Sequence, residues 1–166
     1  MSHRSRPIVE LFDGATSRVR ELLDVPSNYH VLWLQGGASL QFSMIPLNLL
    51  SEKGCADFLD TGAWSSKAII ECNRIGIANV IGSSKDSNYT YIPNVYEQDI
   101  NSEYLHITSN NTIYGTQYNV LPEVSKGHGP LIADMSSDIL SRPIDIGKFG
   151  LIYAGAQKNM GPAGVT

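Results

Sequence analysis

The sequence predicts a three-layer α/β domain with a mostly parallel sheet, and three observations support this. Short apolar runs of strand length recur along the chain, at 56–59, 77–81, 104–108, 130–133 and 149–154. Segments with apolar residues at helical spacing stand before or between several of them. The polar, glycine-bearing segments fall directly after strand runs, where parallel sheets bind their ligands. At 166 residues the chain is long enough for one domain with a sizeable core. A composition of 42% hydrophobic and 17% charged residues excludes a disordered chain. The net charge of −4 leaves no basic footprint for nucleic acid. No apolar run approaches the ~18–20 residues of a membrane span, and Met1 to Arg6 is followed by no secretory h-region. Cys55 and Cys72 lack metal or redox spacing and are read as reduced thiols of a cytosolic protein with no metal site.

The first helix is expected over 7–24. Ile8, Leu11, Phe12, Ala15, Val19, Leu22 and Leu23 recur at helical spacing, and Pro7 suits a first turn. Val25-Pro26-Ser27-Asn28 is the turn signal that ends it. Residues 30–34 (HVLWL) read as a buried strand, broken by Gly36-Gly37. Leu40, Met44, Ile45 and Leu47 mark a second helix. A short strand at 56–59 leads to a helix over 63–75 closed by Gly76, then a strand at 77–81. Residues 82–102 are polar and turn-rich and are expected to be mostly loop. Strands follow at 104–108, 130–133 and 149–154, the last two joined by a short helical turn and loop over 136–148. There is no internal repeat, low-complexity tract or linker.

Five segments carry candidate chemistry. In Gln35-Gly36-Gly37-Ala38-Ser39-Leu40-Gln41, small residues let the backbone approach a ligand. The free N–H groups of the helix start attract an anion, and Ser39 adds a hydroxyl. A tight strand-to-helix turn uses the same residues, so both readings stand. Neither the P-loop nor the dinucleotide glycine pattern is matched. Asp134 ends a predicted strand, where an acid can hold a pyridinium nitrogen or a metal, or cap a turn. Lys158 lies in a loop of Gly, Ala and Pro after an apolar strand. A lysine partly withdrawn from water works as nucleophile and base, whereas a lone lysine is otherwise a solvated charge. Trp64 opens a helix, and its indole can stack on a flat ring or pack a core edge. Arg4, in Ser2-His3-Arg4, can clamp a carboxylate or phosphate, or belong to a frayed terminus. An anion cradle, an acid for a ring nitrogen, a stacking indole and a loop lysine together are what pyridoxal phosphate requires.

These segments, with Asp24-Val25-Pro26-Ser27-Asn28-Tyr29, Pro46-Leu47-Asn48, Ser109-Asn110-Asn111-Thr112-Ile113 and the run from Ala133 to Asp145, closely resemble the phosphoserine aminotransferases. That family belongs to the class V, fold type I pyridoxal-phosphate enzymes, and the similarity covers nearly the whole chain. The resemblance implies that residues 1–166 form an incomplete cofactor-binding large domain, with the small C-terminal domain absent. It implies pyridoxal 5'-phosphate as cofactor and transamination in serine biosynthesis. The substrates would be phosphoserine or 3-phosphohydroxypyruvate and glutamate or 2-oxoglutarate. A homodimer in the cytoplasm, with no nucleic acid and no membrane as partner, follows from the same source. By resemblance, Lys158 and Asp134 are catalytic, the first bonding the cofactor and the second pairing with its ring nitrogen. Trp64 stacks on the ring, Thr112 lies beside it, and Ala38, Ser39 and Gln157 hold the phosphate. His3 and Arg4 bind the acidic substrate. Two other readings are a truncated domain that only dimerises or binds cofactor, and another class V aminotransferase. The match over 134–145 argues against the second.

Overall fold

The computed structural model describes residue 2 and residues 4–166. In chain order it contains α1 (Arg6–Leu22), α2 (Gly37–Leu49), β1 (Cys55–Asp60), α3 (Ala63–Cys72), β2 (Ile77–Ser83) and β3 (Ser102–Thr108). A small hairpin of β4 (Asn110–Asn111) and β5 (Thr116–Gln117) follows, then β6 (Leu131–Asp134) and β7 (Leu151–Tyr153). Five strands form one sheet in the order β2-β1-β3-β6-β7, and every pairing in it is parallel. A parallel sheet is covered on both faces, so its inner strands read as continuous apolar runs rather than alternating ones. All four residues of β6 are buried for this reason.

Side chains leave each strand on alternate faces. One face presents Ala56, Phe58, Tyr104, Ile132 and Tyr153 to Phe42 and Ile45 of α2 and Ala68 and Cys72 of α3. The other presents Leu105, Ile107, Leu131 and Ala133 to Leu23, Ile139, Ile146 and Phe149. This second outer layer is mostly irregular chain, because α1 itself has no fully buried residue. From β1 the chain passes to β2 on one side and returns to β3 on the other. The crevice where such folds bind ligands therefore opens beside the carboxyl ends of β1 and β3.

The segment 30–34 is not a sheet strand. It runs extended against α1, where Trp33 Nε1 donates to Thr16 Oγ1 at 2.9 Å and the indole meets Phe12 edge-on. Leu32 is 68% exposed. Leu34 and Thr166 exchange a pair of backbone hydrogen bonds of 2.8 and 2.9 Å. An apolar run of strand length does not say which partner it will find, and this one packs on a helix. Helix α3 stops at Cys72, three residues before the expected end, with the N–H groups of Ile75 and Gly76 turning onto the Cys72 carbonyl.

A candidate active site at the carboxyl edge of the sheet

Asp134 is the last residue of β6, in register with Thr108 of β3 and Tyr153 of β7. Its side chain is buried, and Oδ1 accepts hydrogen bonds from Ser136 N (3.0 Å) and Ser136 Oγ (2.6 Å). Among the described residues nothing donates to Oδ2, which stays accessible. Burial pushes this carboxyl above the usual carboxylate range. The two Ser136 hydrogen bonds pull it back, Asp138 pushes it up and Lys158 draws it down. One oxygen tied and one open is the arrangement a cationic N–H partner needs. Ser136 Oγ also accepts from Gly155 N at 3.1 Å, which fastens the end of β6 to the loop carrying Lys158.

That loop leaves β7 through the buried residues Ala154, Gly155 and Ala156. It turns where Met160 N and Gly161 N donate to Ala156 O, at 3.1 and 2.9 Å. Lys158 Nζ lies 3.5 Å from Thr112 Oγ1 in the β4–β5 turn, a weak contact that nonetheless brings the two residues together. Lys158 is exposed, so the expected withdrawal from water is not provided within this chain. The Gly, Ala and Pro residues around it are too small to cover an amine. Gln157 is also exposed; a Cβ on Gly155 would sit 2.5 Å from Gln157 Oε1, so the glycine makes room for that amide.

Gly36 and Gly37 take positive φ angles of 94° and 66°, a turn that L side chains resist, and α2 starts there. Among the described residues no side chain caps its first N–H groups, which lie at the exposed Ser39 and half-buried Ala38. Ala38 and Trp64 both pack against the core cluster that holds Ile132 and Tyr153, so they stand on the Asp134 face of the sheet. Lys67 Nζ sits 4.3 Å from the Trp64 ring centroid. Asn111 Nδ2 donates to Thr61 O, joining the hairpin of Thr112 to the turn before Trp64. Arg4 is exposed, and among the described residues no hydrogen bond or ion pair links its guanidinium to Asp134 or Lys158. His3 lies outside the described residues.

The family profile described as Aminotransferase class-V matches residues 1–166. The chain belongs to the class-V aminotransferases. This class-V chain is 53% identical over 168 residues to the phosphoserine aminotransferase of Alkalihalobacillus alcalophilus, covering 100% of its own length and 46% of that protein. It superposes with a TM-score of 0.92 and 50% identity on the phosphoserine aminotransferase from Bacillus circulans subsp. alkalophilus, covering 99% of this chain and 46% of that one. The pyridoxal-phosphate-bound enzyme from Trichomonas vaginalis matches with a TM-score of 0.90 and 42% identity, over 99% and 49% of the two chains. The chain thus spans about half the length of the curated relatives it matches.

Sequence reasoning missed two features of this class-V site. One is Ser136, for which the Asp-x-Ser spacing was an available signal, since an aspartate readily bonds the N–H two residues on. The other is a hydrogen bond between His106 and Tyr153, which spans 47 positions and leaves no local trace.

Proposed function

We propose that this chain carries the cofactor-binding part of a pyridoxal-phosphate-dependent phosphoserine aminotransferase. It would act between phosphoserine or 3-phosphohydroxypyruvate and glutamate or 2-oxoglutarate. The observation that carries this reading is the pairing of Asp134 and Lys158. A buried carboxylate with one open oxygen ends β6, an exposed amine lies on the loop after the neighbouring β7, and Ser136 and Gly155 tie the two together. The residues fit the group. Asp134 Oδ2 offers an acceptor to a protonated ring nitrogen, and the uncapped start of α2 at Ala38 and Ser39, with Gln157, offers donors to a phosphate. Trp64 and Thr112 supply an indole and a hydroxyl for the ring.

When bound, the cofactor supplies an electron sink for the charge left at the substrate Cα. The chain's own residues do the rest. Ser136 holds Asp134 Oδ1 and favours the ionised carboxyl, so that Oδ2 keeps a ring nitrogen protonated. Lys158 Nζ would hold the cofactor, and in its neutral form the same amine would take the proton from the substrate Cα. Trp64 keeps water from one side of the site. The same reading includes an acidic substrate held by Arg4 and His3, a homodimer and a cytoplasmic setting. It assigns residues 1–166 to part of the large domain.

The test is chemical. The full chain is mixed with pyridoxal phosphate, reduced with borohydride and mapped by peptide mass. The label is expected on Lys158 and absent in Lys158→Ala, with binding about tenfold weaker in Asp134→Asn. Equal labelling of Lys158→Ala sinks the reading. An assay with phosphoserine and 2-oxoglutarate then measures turnover by this chain.

A further inference from the structure

The chain between β6 and β7 carries another buried acid, Asp138, to which the cofactor reading assigns no role. It is 6% exposed, and among the described residues no ion pair reaches it. Its carboxylate instead spans the base of the β4–β5 hairpin. Oδ1 accepts from Ser109 Oγ at 2.5 Å, and Oδ2 accepts from Gln117 Nε2 at 3.0 Å. Ser109 directly precedes β4 and Gln117 ends β5, so one side chain holds both strands. Ser109 Oγ also lies 3.0 Å from the Asp134 carbonyl oxygen, which already receives Ser109 N at 3.0 Å. A hydroxyl has one proton to give, and the closer, charged acceptor takes it.

The hairpin needs such a hold. It has two paired residues on each side, and an isolated ribbon of that size has little stability of its own. Ser137 Oγ exchanges two 2.9 Å hydrogen bonds with Asn110, which fixes the first strand only. Arg142 donates to Tyr118 O, just past the second. Among the described residues Asp138 alone reaches both strands. The stretch that carries it also grips the lysine loop, because Ser136 Oγ receives Gly155 N and Ile139 O receives Asn159 Nδ2 at 2.9 Å. Residues 136–142 thus hold the hairpin with one set of contacts and the lysine loop with another. Between the two, Thr112 Oγ1 and Lys158 Nζ meet at 3.5 Å.

We infer that Asp138 is a positioning residue for Thr112: its carboxylate clamps the two strands of the hairpin at their base and so sets the Thr112 hydroxyl against Lys158. The inference rests on the cofactor reading of Thr112 and Lys158 given above. Among the described residues no hydrogen bond or ion pair joins Asp138 to either of them, so its effect passes through the hairpin. A carboxylate suits the role because it offers two acceptor oxygens to two donors on different strands. An asparagine in its place turns an N–H group toward one of those donors. The charge of Asp138 has a separate effect, pushing the Asp134 carboxyl up. Removing that charge alone leaves Asp134 more readily ionised and favours a cationic ring nitrogen. The two effects have opposite signs in cofactor affinity, so a titration tells them apart.

The test uses the full chain, first without cofactor. Amide hydrogen exchange is followed at Gly115 and Tyr118, whose N–H groups close the hairpin onto Asn111 O and Ser109 O. Leu105 and Met135, bonded across the main sheet to Pro130 O and Tyr153 O, serve as the reference. In Asp138→Asn the hairpin amides are expected to exchange about tenfold faster, with the reference amides unchanged. Combining Asp138→Asn with Gln117→Glu restores the contact with donor and acceptor exchanged, and brings the hairpin amides back to within about threefold of the wild type. Unmoved hairpin amides, equal acceleration at the reference amides, or no rescue in the double variant overturns the inference. Where Asp138→Asn fails to fold, Gln117→Leu removes one arm of the clamp from a half-buried position, and unmoved hairpin amides there overturn it instead. Pyridoxal phosphate is then titrated by absorbance. Asp138→Asn is expected to bind it about three- to tenfold more weakly, and to add no further loss in a Thr112→Val chain. Equal or tighter binding, or a loss undiminished in Thr112→Val, overturns the inference. Borohydride labelling of the wild type separates the two failures. A chain not labelled at Lys158 sinks the cofactor reading, while exchange in the free chain judges the clamp by itself.

Discussion

His106 and Asp134 are both buried at the site, and burial moves their protonation in opposite directions. For His106 the folded value is about 3 against an ordinary 6.5, so below 6.5 the unfolded chain binds the extra proton. Its contribution to stability is present above the ordinary value and is lost as pH falls toward 3, by up to about 1.4 kcal/mol per pH unit. Asp134 runs the other way. Its raised carboxyl makes the folded chain the better proton binder, so its contribution is greatest in acid and fades as pH rises through the folded value. Urea unfolding at pH 7, 6 and 5 measures the balance: the wild type should lose stability steeply on acidification, and His106→Gln should flatten that loss. An unchanged slope in His106→Gln would show that the imidazole is not the group responsible. None of this was visible in the sequence, where His106 sits inside an apolar run with no charged neighbour to draw notice. Asp134 and Lys158 were legible, because each follows a strand run and so had to lie at the carboxyl edge of the sheet.

Among the elements, α2 shows most directly how local chemistry positions a site. Its start depends on Gly36 at φ 94°, where a Cβ would come within 2.3 Å of Leu40 Cδ2. Gly36→Ala is expected to cost about 1–3 kcal/mol in urea unfolding and to loosen phosphate-bearing ligands at the helix start. Equal stability of the variant would mean that the turn relaxes without cost. This glycine pair was legible as a break between an apolar run and a helix. The strands were legible too, because a sheet covered on both faces needs continuous apolar runs. Two elements escaped. Residues 30–34 have strand composition but pack on α1 through Trp33 and Phe12. The β4–β5 hairpin, two residues on each side, is too short to carry a period, yet it delivers Thr112 to Lys158.

At the scale of the molecule, much apolar surface remains uncovered. Leu11, Leu22, Leu32, Leu47, Val95 and Val120 are each more than 60% exposed. Scattered apolar residues are ordinary on protein surfaces, but this number on one small domain favours association. Sedimentation of the chain over a range of concentrations should show reversible self-association, and Leu47→Glu should weaken it about tenfold, or 1.4 kcal/mol. A monomer at every concentration would remove the expectation. The parallel α/β architecture and the placement of Asp134 and Lys158 after strand runs follow from the order of apolar runs and the small residues after them. Those are local properties, and burial turns most of them into strands and helices, with 30–34 the exception because α1 is its partner. Which strands become neighbours is a different matter. Only the folded sheet sets β6 between β3 and β7, ties Asp134 to the lysine loop through Ser136, and closes His106 onto Tyr153 across it. Those contacts join residues far apart in the chain, so they exist only once the whole sheet has been packed.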